Sequence, residues 1–472
     1  MPAVSLIKGS KMEFGGVDYR DAVPVNMYAV KREELNSQGY MYQMYGLTNY
    51  GTGSGIDRNA MWVSANGLQN HYRISGTDFE TIDELGNVTV LGTVPNTEQC
   101  SITFSFNNVI VVGNQQLFYY NPTDGFREIT SSGVVGSPID CVWVANYVFL
   151  TDGTDIYHST LADEEIFSAS DSAEPDFSPD NVVGIAKNKN NELVVFNEFS
   201  IQHYIDVGDA NFAFQNLPSK TTKLGILGTH CKSELKGKFY LMGRRVNEKP
   251  SCYIYSLGSA QKIASREIEK VLDTYTPDEL ATTTIDSFTA DDVDLIIYHF
   301  PNDSYMFNAT IAQLVGVGSA WSKIKTDTTG DEPYRAKNIV IDPRNGKMIV
   351  GDKIDGTIGE LDDSVATHYG DIAEWLLFTP FLNLETLSIN QMEIEIIPGI
   401  VDAAEDATVM VSRTTNGRTY GQEWTEEYGA AYDYNNRFII RTFGYVRHWV
   451  GFKFRGASRS RMVFGLLDVE AS

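Results

Sequence analysis

Cysteine is scarce in this chain of 472 residues, and the few cysteines present stand far apart. Cys100, Cys141, Cys231 and Cys252 include no Cys-x-x-Cys pair. We expect all four to be reduced and buried as small side chains in a protein made in a cytosol. Disulfide bonds between them are the alternative.

Long apolar runs are also missing. No stretch approaches the roughly 18 apolar residues that a membrane-spanning helix needs. The first residues, MPAVSLIKGSKMEF, lack the apolar core of a signal peptide. The sequence therefore predicts a chain that does not insert into a membrane.

Positive charge is in short supply, because 37 Lys and Arg residues face 62 Asp and Glu residues, for a net charge of −25. Proteins that coat nucleic acid neutralise phosphates with basic side chains, so this balance argues against that class. The glycine-rich segment 51–57 lacks the Lys-Ser/Thr of a phosphate loop, and the carboxylates of 162–180 lack calcium-loop spacing. We predict no cofactor and no bound metal.

Strand pairs joined by tight turns recur along the chain. The clearest is YVFLTDGTDIYHSTL, residues 147–161, in which Asp152-Gly153 supplies a hairpin turn between two β-rich runs. Six further pairs bring the predicted number to seven, and the seven start at residues 60, 109, 147, 193, 239, 295 and 348. One supersecondary unit repeated at loose intervals is typical of radial β architectures.

Most first strands of these pairs are unbroken apolar runs such as VIVV, YVFL and LIIY. A strand has this pattern when both of its faces are covered, and neighbouring blades of a β-propeller cover them. We therefore predict an all-β protein with a propeller of about six or seven blades at 59–374, and a stack of β-sandwiches is the alternative. The longer, alternating strands of 375–472 predict a C-terminal β-sandwich, and 1–58 is expected to complete or flank the propeller.

Two segments of the predicted propeller depart from the repeat. Residues 264–281 read as a short helical insertion, with Ser265 as its cap and Thr276-Pro277 opening a second turn. Residues 162–180 are acidic with little to bury, so we expect a surface excursion whose removal leaves thermal unfolding nearly unchanged.

The sharpest electrostatic feature lies in the C-terminal part, where 437–461 holds seven basic residues and no acidic one. Counting every second residue along 445–455 places Tyr, Trp and basic side chains on one face and assigns His448 to the core. The candidate interface comprises Arg437, Arg441, Tyr445, Arg447, Trp449, Lys453, Arg455, Arg459 and Arg461. It fits an acidic protein surface, including a second copy of this chain; a solvated sheet face and nucleic-acid contact are the alternatives.

Enzymatic interpretations find less support. Asp291, Asp292 and Asp294 could form paired carboxylates for glycoside cleavage, but a polar loop before a strand is the simpler explanation. Segment 412–424 resembles a single sialidase-type turn, and Asn416-Gly417 is explained by a hairpin. We predict no catalytic residues. A carbohydrate-binding or glycoside-cleaving propeller protein is the alternative function.

Six segments in order resemble the packaged-DNA stabilisation proteins, also called tail hub or nozzle proteins, of short-tailed bacteriophages. They are DYRDAVPVNMYA (18–29), LNSQGY with GLT (35–48), LGILGTHCK (224–232), EIEKVLDTYTPDELA (267–281), LLFTPF (376–381) and YVRHWVGFKFR (445–455). The resemblance implies a non-enzymatic virion protein, assembled in the host cytoplasm into a tail ring, usually of six copies.

The same resemblance implies the partners of such a ring. It would lie below the portal and its adaptor ring protein, hold a tail needle or plug, and attach tailspike or fibre proteins. DNA would pass through its channel without specific binding, because an acidic lining repels phosphate. The basic face would then serve subunit or adaptor contacts, so reversing Arg447 and Arg455 is expected to weaken assembly.

Overall fold

The structure is a computed structural model that describes residues 3–8, 13–14, 17–18, 23–31, 39–130, 134, 136–209, 211–328, 330–403, 405 and 407–472. Within these ranges the chain forms seven propeller blades followed by a two-sheet sandwich, which confirms the predicted fold class. No helix in the described ranges is long and apolar enough to cross a membrane.

The N-terminal segment contributes strands to both parts. Its elements are β1 (Ala3–Ser5), a 3-10 turn (Leu6–Lys8), β2 (Glu13–Phe14), β3 (Val17–Asp18), β4 (Met27–Val30), β5 (Tyr40–Gln43) and β6 (Gly46–Thr52). Strand β5 joins the sandwich, whereas β6 pairs with a strand of the last blade. The described part of residues 1–58 therefore supplies strands to both the propeller and the sandwich.

The first four blades are consecutive four-stranded antiparallel sheets. Blade one has β7 (Asp57–Val63), β8 (Asn70–Ser75), β9 (Asp78–Ile82) and β10 (Val88–Thr93), and blade two has β11 (Ser101–Phe104), β12 (Val109–Gly113), β13 (Gln116–Asn121) and β14 (Gly125–Glu128). Blade three has β15 (Asp140–Val144), β16 (Tyr147–Thr151), β17 (Ile156–Ser159) and β18 (Phe167–Ala173), and blade four has β19 (Val182–Lys187), β20 (Leu193–Asn197), β21 (Ile201–Asp206) and β22 (Phe214–Asn216).

The last three blades carry the additions. A 3-10 turn (Pro218–Lys220) precedes blade five, which has β23 (Gly225–Ile226), β24 (Lys232–Leu235), β25 (Lys238–Arg244), β26 (Ser251–Ser256) and β27 (Ser259–Lys262), followed by α1 (Arg266–Leu272) and α2 (Pro277–Leu280). Blade six has β28 (Thr284–Ala290), β29 (Val293–His299), β30 (Ser304–Asn308), α3 (Ala309–Val315), a 3-10 turn (Val317–Ser319) and β31 (Trp321–Ile324). Blade seven has β32 (Ala336–Ile341), β33 (Met348–Asp352) and β34 (Thr357–Asp362), with β35 (Thr367–His368) and β36 (Asp371–Ile372) beyond β6.

The apolar strands pack as their sequences predict. In β12, Val109 and Val111 face the core shared with blade one, whereas Ile110 and Val112 face the core shared with blade three. Alternate side chains of one strand therefore meet opposite neighbours, and no polar face remains. Six of the predicted hairpins are the second and third strands of their blades, but the pair at 60–74 is β7 with β8, so the equivalent hairpin of blade one is β8 with β9.

The helical segment is held by its caps. The Ser265 side chain accepts a hydrogen bond from the backbone of Ile268, and Thr276 forms a capping box with Glu279. Ile268 and Leu272 are buried against blades five and six, which places the helices over that edge of the propeller. All four cysteines are free and buried.

Closure of the propeller joins the first and last blades. Strand β6 lies antiparallel to β34, so the fourth strand of blade seven comes from the N-terminal segment. Within blade one, Arg73 forms a buried ion pair with Asp57, and from blade seven the Asn338 side chain donates a hydrogen bond to the same carboxylate. A buried ion pair of this kind is costly to break, because the remaining charge has no partner.

The acidic segment 162–180 is packed, and the expectation of a dispensable excursion is wrong. Its residues 167–173 form β18, the outer strand of blade three, and Phe167 is 4% exposed in the core between blades two and three. Glu164 accepts a hydrogen bond from Asn108, and Glu165 pairs with Arg127. Composition concealed the strand because its other side chains face solvent.

Substituting Phe167→Ala is expected to lower the free energy of unfolding by about 3–5 kcal/mol, because it removes a buried aromatic ring and leaves a cavity. Urea denaturation measures the loss. The control is Phe177→Ala in the same acidic segment, where the ring is 44% exposed, and it should change stability far less. Equal small effects at both positions would restore the loose-excursion interpretation.

Candidate assembly interface

The C-terminal part is a sandwich of two sheets around one core. Its strands are β37 (Glu374–Phe378), β38 (Leu382–Asn383), β39 (Leu387–Ile396), β40 (Thr408–Thr414), β41 (Glu423–Glu427), β42 (Phe438–Val446), β43 (Trp449–Ala457) and β44 (Val463–Ala471). One sheet has the order β4-β5-β44-β39-β42 with β1 beside β44, and the other has β37-β43-β40-β41 with β38 beside β43. The predicted interface residues lie on both sheets and on the connections at their edges.

The predicted single face along 445–455 is wrong. Strand β42 ends at Val446 and β43 begins at Trp449, and these strands belong to opposite sheets. Arg447 and His448 form the corner between them, so His448 is exposed and not a core histidine. Val446 and Val450 are both buried, so the alternation passes through the corner unchanged and the sequence gives no sign of it.

On β43 the alternation itself holds. Phe452 and Phe454 point into the core, and the partly exposed Trp449, Lys453 and Arg455 lie on the outer side. Arg455 donates two hydrogen bonds to Glu423, at 2.8 Å and 2.7 Å, which hold the pKa of that carboxyl below its ordinary value. The Lys453 ammonium lies 4.8 Å from the centre of the Tyr420 ring and 3.9 Å from Glu423. Both cations are thus engaged within the sheet.

Other predicted interface residues lie along β42, on the outer side of the opposite sheet. Arg437 makes a two-pronged contact with Glu393, at 2.8 Å and 2.5 Å. Arg441 lies opposite Gln391 in the strand register and is exposed, and Tyr445 is 57% exposed. The aromatic and basic side chains that the sequence placed together are therefore divided between two outward faces.

Arg461 lies inside the protomer, at the junction of sandwich and propeller. Its guanidinium donates to the carbonyl of Gln43 at 3.0 Å and to the Tyr28 hydroxyl at 3.0 Å, and lies 4.3 Å from the centre of the Tyr45 ring. The Tyr28 and Tyr45 hydroxyls both donate to Asp291, at 2.6 Å and 2.7 Å, and burial raises the pKa of both tyrosines. Asp291 sits in the turn of blade six, so it is a structural acceptor in this network.

Asn26 makes a second connection at this junction. Its side chain donates to the carbonyls of Lys325 and Glu374 at 3.0 Å and 2.8 Å and accepts from the Lys325 backbone at 2.9 Å. Beside it, Val25 bridges both β31 and β37. The backbone φ of Asn26 is +50°, a conformation that asparagine tolerates. One residue thus joins the last strand of blade six to the first strand of the sandwich.

Three predicted basic residues remain exposed without an acidic partner. Among the described residues, no carboxylate lies within ion-pair distance of Arg441, Arg447 or Arg459. The local positive field is therefore weaker than the count of seven suggests. The sandwich surface also carries an apolar group that was not predicted, in which Ile400, Tyr432 and Tyr434 are 42%, 76% and 67% exposed. Two tyrosines among Asp and Asn in an interstrand loop were the sequence feature that could have indicated it.

The described residues hold no group of three or more His, Cys, Asp or Glu side chains arranged to bind a metal ion. Two protein-family profiles together match nearly the whole chain. The profile described as "Bacteriophage P22 Gp10, beta-propeller" matches residues 2–366, and "Bacteriophage P22 Gp10, beta-sandwich" matches residues 374–472. The chain belongs to the P22 Gp10 family.

A curated relative within the P22 Gp10 family is the tail hub protein gp10 of Salmonella phage P22, which is 29% identical over 475 residues and covers 96% of each chain. Solved structures are similar to this chain only at low identity. Virginiamycin B lyase from Staphylococcus aureus is 10% identical with a TM-score of 0.43 over 67% of this chain and 98% of its own. The N-terminal domain of Nup159 is 11% identical with a TM-score of 0.41 over 72% of this chain and 99% of its own.

Membership of the P22 Gp10 family makes this chain a structural tail hub protein of a phage virion and not an enzyme. The glycoside-cleaving alternative is therefore not retained, and the hydrogen bonds to Asp291 account for one of the carboxylates that suggested it. The interface role of the basic residues stays a prediction, now centred on Arg441, Arg447 and Arg459.

Substituting Asn26→Gly is expected to lower the free energy of unfolding by roughly 3 kcal/mol, since glycine keeps the positive φ but leaves buried backbone groups without partners. Urea denaturation provides the measurement. Asn247→Gly, at an exposed turn position with a φ of +63°, is the matched control. A loss no greater than that of the control would show that the Asn26 contacts do not stabilise the junction.

Substituting Arg447→Glu should weaken self-assembly or adaptor binding by about tenfold or more, because it reverses an exposed charge at the sandwich corner without breaking an ion pair. Sedimentation and a pull-down with the adaptor ring measure the effect at low and high salt. Lys189→Glu makes the same charge change on an exposed turn of the propeller and should leave assembly intact. Arg455→Glu is unsuitable, because it would place two carboxylates together at Glu423. Unchanged assembly of the Arg447 variant contradicts the interface role.

Proposed function

We propose that this protein forms a ring, with six copies as the expected number, below the portal and its adaptor ring protein. The ring extends the portal channel, retains packaged DNA, and anchors a tail needle or plug and tailspike or fibre proteins. The observation that carries the proposal is the match to the P22 tail hub protein across both propeller and sandwich. A relationship confined to the propeller would support only a common fold.

The charge distribution supports the proposed passage of DNA without specific binding. Outside 437–461 the chain has 30 basic and 62 acidic residues, a net of −32. An acidic wall repels phosphate over about one Debye length, roughly 8–10 Å at physiological salt. A genome moving through a channel lined by such surfaces has few cations to which it could adhere, so it stays mobile during packaging and ejection.

The sandwich supplies the proposed protein contacts. Arg441, Arg447 and Arg459 offer exposed positive charge to the acidic surface of a neighbouring copy or of the adaptor. Tyr432 and Tyr434 offer large, rigid, partly polar side chains, the type enriched in the centres of protein interfaces. We propose that assembly takes place in the host cytoplasm.

Mixing the purified chain with a portal–adaptor complex is expected to yield a ring at the distal end of that complex. Cryo-electron microscopy of the mixture identifies the ring and counts its copies. Portal without adaptor is the control and should remain undecorated. Failure to bind the portal–adaptor complex, or binding in dispersed single copies, would overturn the proposed function.

A further inference from the structure

A funnel opens at one end of the propeller, off its centre toward blades six and seven. Its volume is about 1290 Å³, and its walls come from the blade entrances and the β29–β30 and β33–β34 turns. A cavity of this size accepts a small organic molecule. The proposed tail hub role does not use it, because a single propeller's funnel is not the channel of a ring.

Two lysines face this funnel without a counterion. Lys337 lies on β32, the inner strand of blade seven, and Lys353 follows β33. Among the described residues, no carboxylate lies within 4.0 Å of either ammonium. Other half-buried or buried lysines of the chain have acidic partners, as in the pairs Lys232–Asp140 and Lys325–Glu374 at 2.6 Å and 2.9 Å. The funnel lysines are exceptional in a chain with a large acidic excess.

Neutral side chains hold the two ammonium groups in place. Lys353 donates to Nδ1 of His299 at 2.8 Å and to the Ser304 hydroxyl at 3.2 Å. Nε2 of His299 then donates to Asp286 at 2.9 Å, which fixes the ring as a neutral acceptor toward Lys353. Lys337 donates to the side-chain oxygen of Gln99 at 3.4 Å. The groups are thus oriented, but their charge is not balanced by these contacts.

Most acidic residues of the funnel are nearer to solvent than its two lysines. Glu98, Glu332 and Asp371 line the same cavity and are exposed, whereas Lys337, Lys353 and the fourth acidic lining residue, Asp327, are only partly exposed. Negative charge at the mouth repels a polyanion such as nucleic acid, and positive charge farther in attracts a compact anion. The arrangement therefore selects a small molecule whose anionic group can reach the lysines.

We propose that the propeller funnel binds a small-molecule oxyanion, a carboxylate or phosphate group, between Lys337 and Lys353. The bound anion supplies the close ion pair that no carboxylate of the described residues makes with these two amines. Burial and the nearby Lys337 lower the pKa of Lys353 to about 7 against the opposing attraction of Asp286 and Asp352, so a bound anion that raises this pKa causes the amine to take up a proton from solvent. Binding should then weaken as the pH rises above neutrality, because the amine must be protonated to hold the anion.

Isothermal titration calorimetry of the full chain with inorganic phosphate and with succinate, at constant ionic strength, tests the proposal. At least one anion should bind, and Lys337→Met or Lys353→Met should weaken it tenfold or more. Lys189→Met removes an exposed charge elsewhere and should leave the affinity unchanged. Binding of phosphate alone or of succinate alone identifies the preferred group, and either result supports the site. Absence of binding by both, or equal binding by the variants, overturns it.

Proton uptake provides a second readout. At about pH 8, succinate binding should take up protons, which is detected as a dependence of the binding enthalpy on the ionisation enthalpy of the buffer. Lys353→Met should abolish this uptake, and its persistence would contradict the assignment. If Lys353→Met lowers the thermal unfolding midpoint in the absence of anion, Lys353→Gln replaces it. Because binding is measured on the chain alone, failure here leaves ring assembly on the portal–adaptor complex unaffected.

Discussion

Backbone pairing by the N-terminal segment is the constraint on which the rest of this structure depends. A propeller made only from residues 57–362 would leave the outer edge of blade seven open, and an open edge exposes unpaired N–H and C=O groups. Strand β6 covers that edge by pairing with β34. Earlier in the same N-terminal segment, Val25 and Asn26 connect β31 to β37, and β5 enters the sandwich sheet. The same short stretch of chain thus closes one part and fixes the other against it.

This connection explains how two parts with separate cores act as one body. The sandwich core includes Met27 and Met41 from the N-terminal segment and Ile311 from α3 of blade six. The junction adds a polar network around Asp291 that is reached from both sides, through Arg461 and through two tyrosines. A rigid protomer suits the proposed ring, whose subunit contacts would have to stay in register during packaging and ejection.

Contacts within the protomer also neutralise much of the positive charge of the sandwich. Most cations of the C-terminal basic segment are engaged within the protomer, by Glu393, Glu423 or the junction network. The exposed remainder is small, and the acidic excess over the other surfaces dominates the field. In the propeller funnel, Lys337 and Lys353 also lack a carboxylate within ion-pair distance among the described residues, and exposed acidic side chains line the same cavity.

Local pattern was sufficient for much of this architecture. Runs such as VIVV and YVFL predicted strands covered on both faces, because side chains alternate at a period of two, and Ser265 and Thr276 predicted helix starts through the hydrogen bonds they accept. Pattern failed where solvent-facing composition hid a strand, as in β18, and where alternation passed through the corner at Arg447 and His448. The sequence by itself determined the repeated blades, the sandwich and the acidic charge, since these follow from neighbouring residues. Only the tertiary structure decided which cations are neutralised, how β6 closes the propeller and which lysines stay unpaired, because those outcomes depend on contacts between residues tens to hundreds of positions apart.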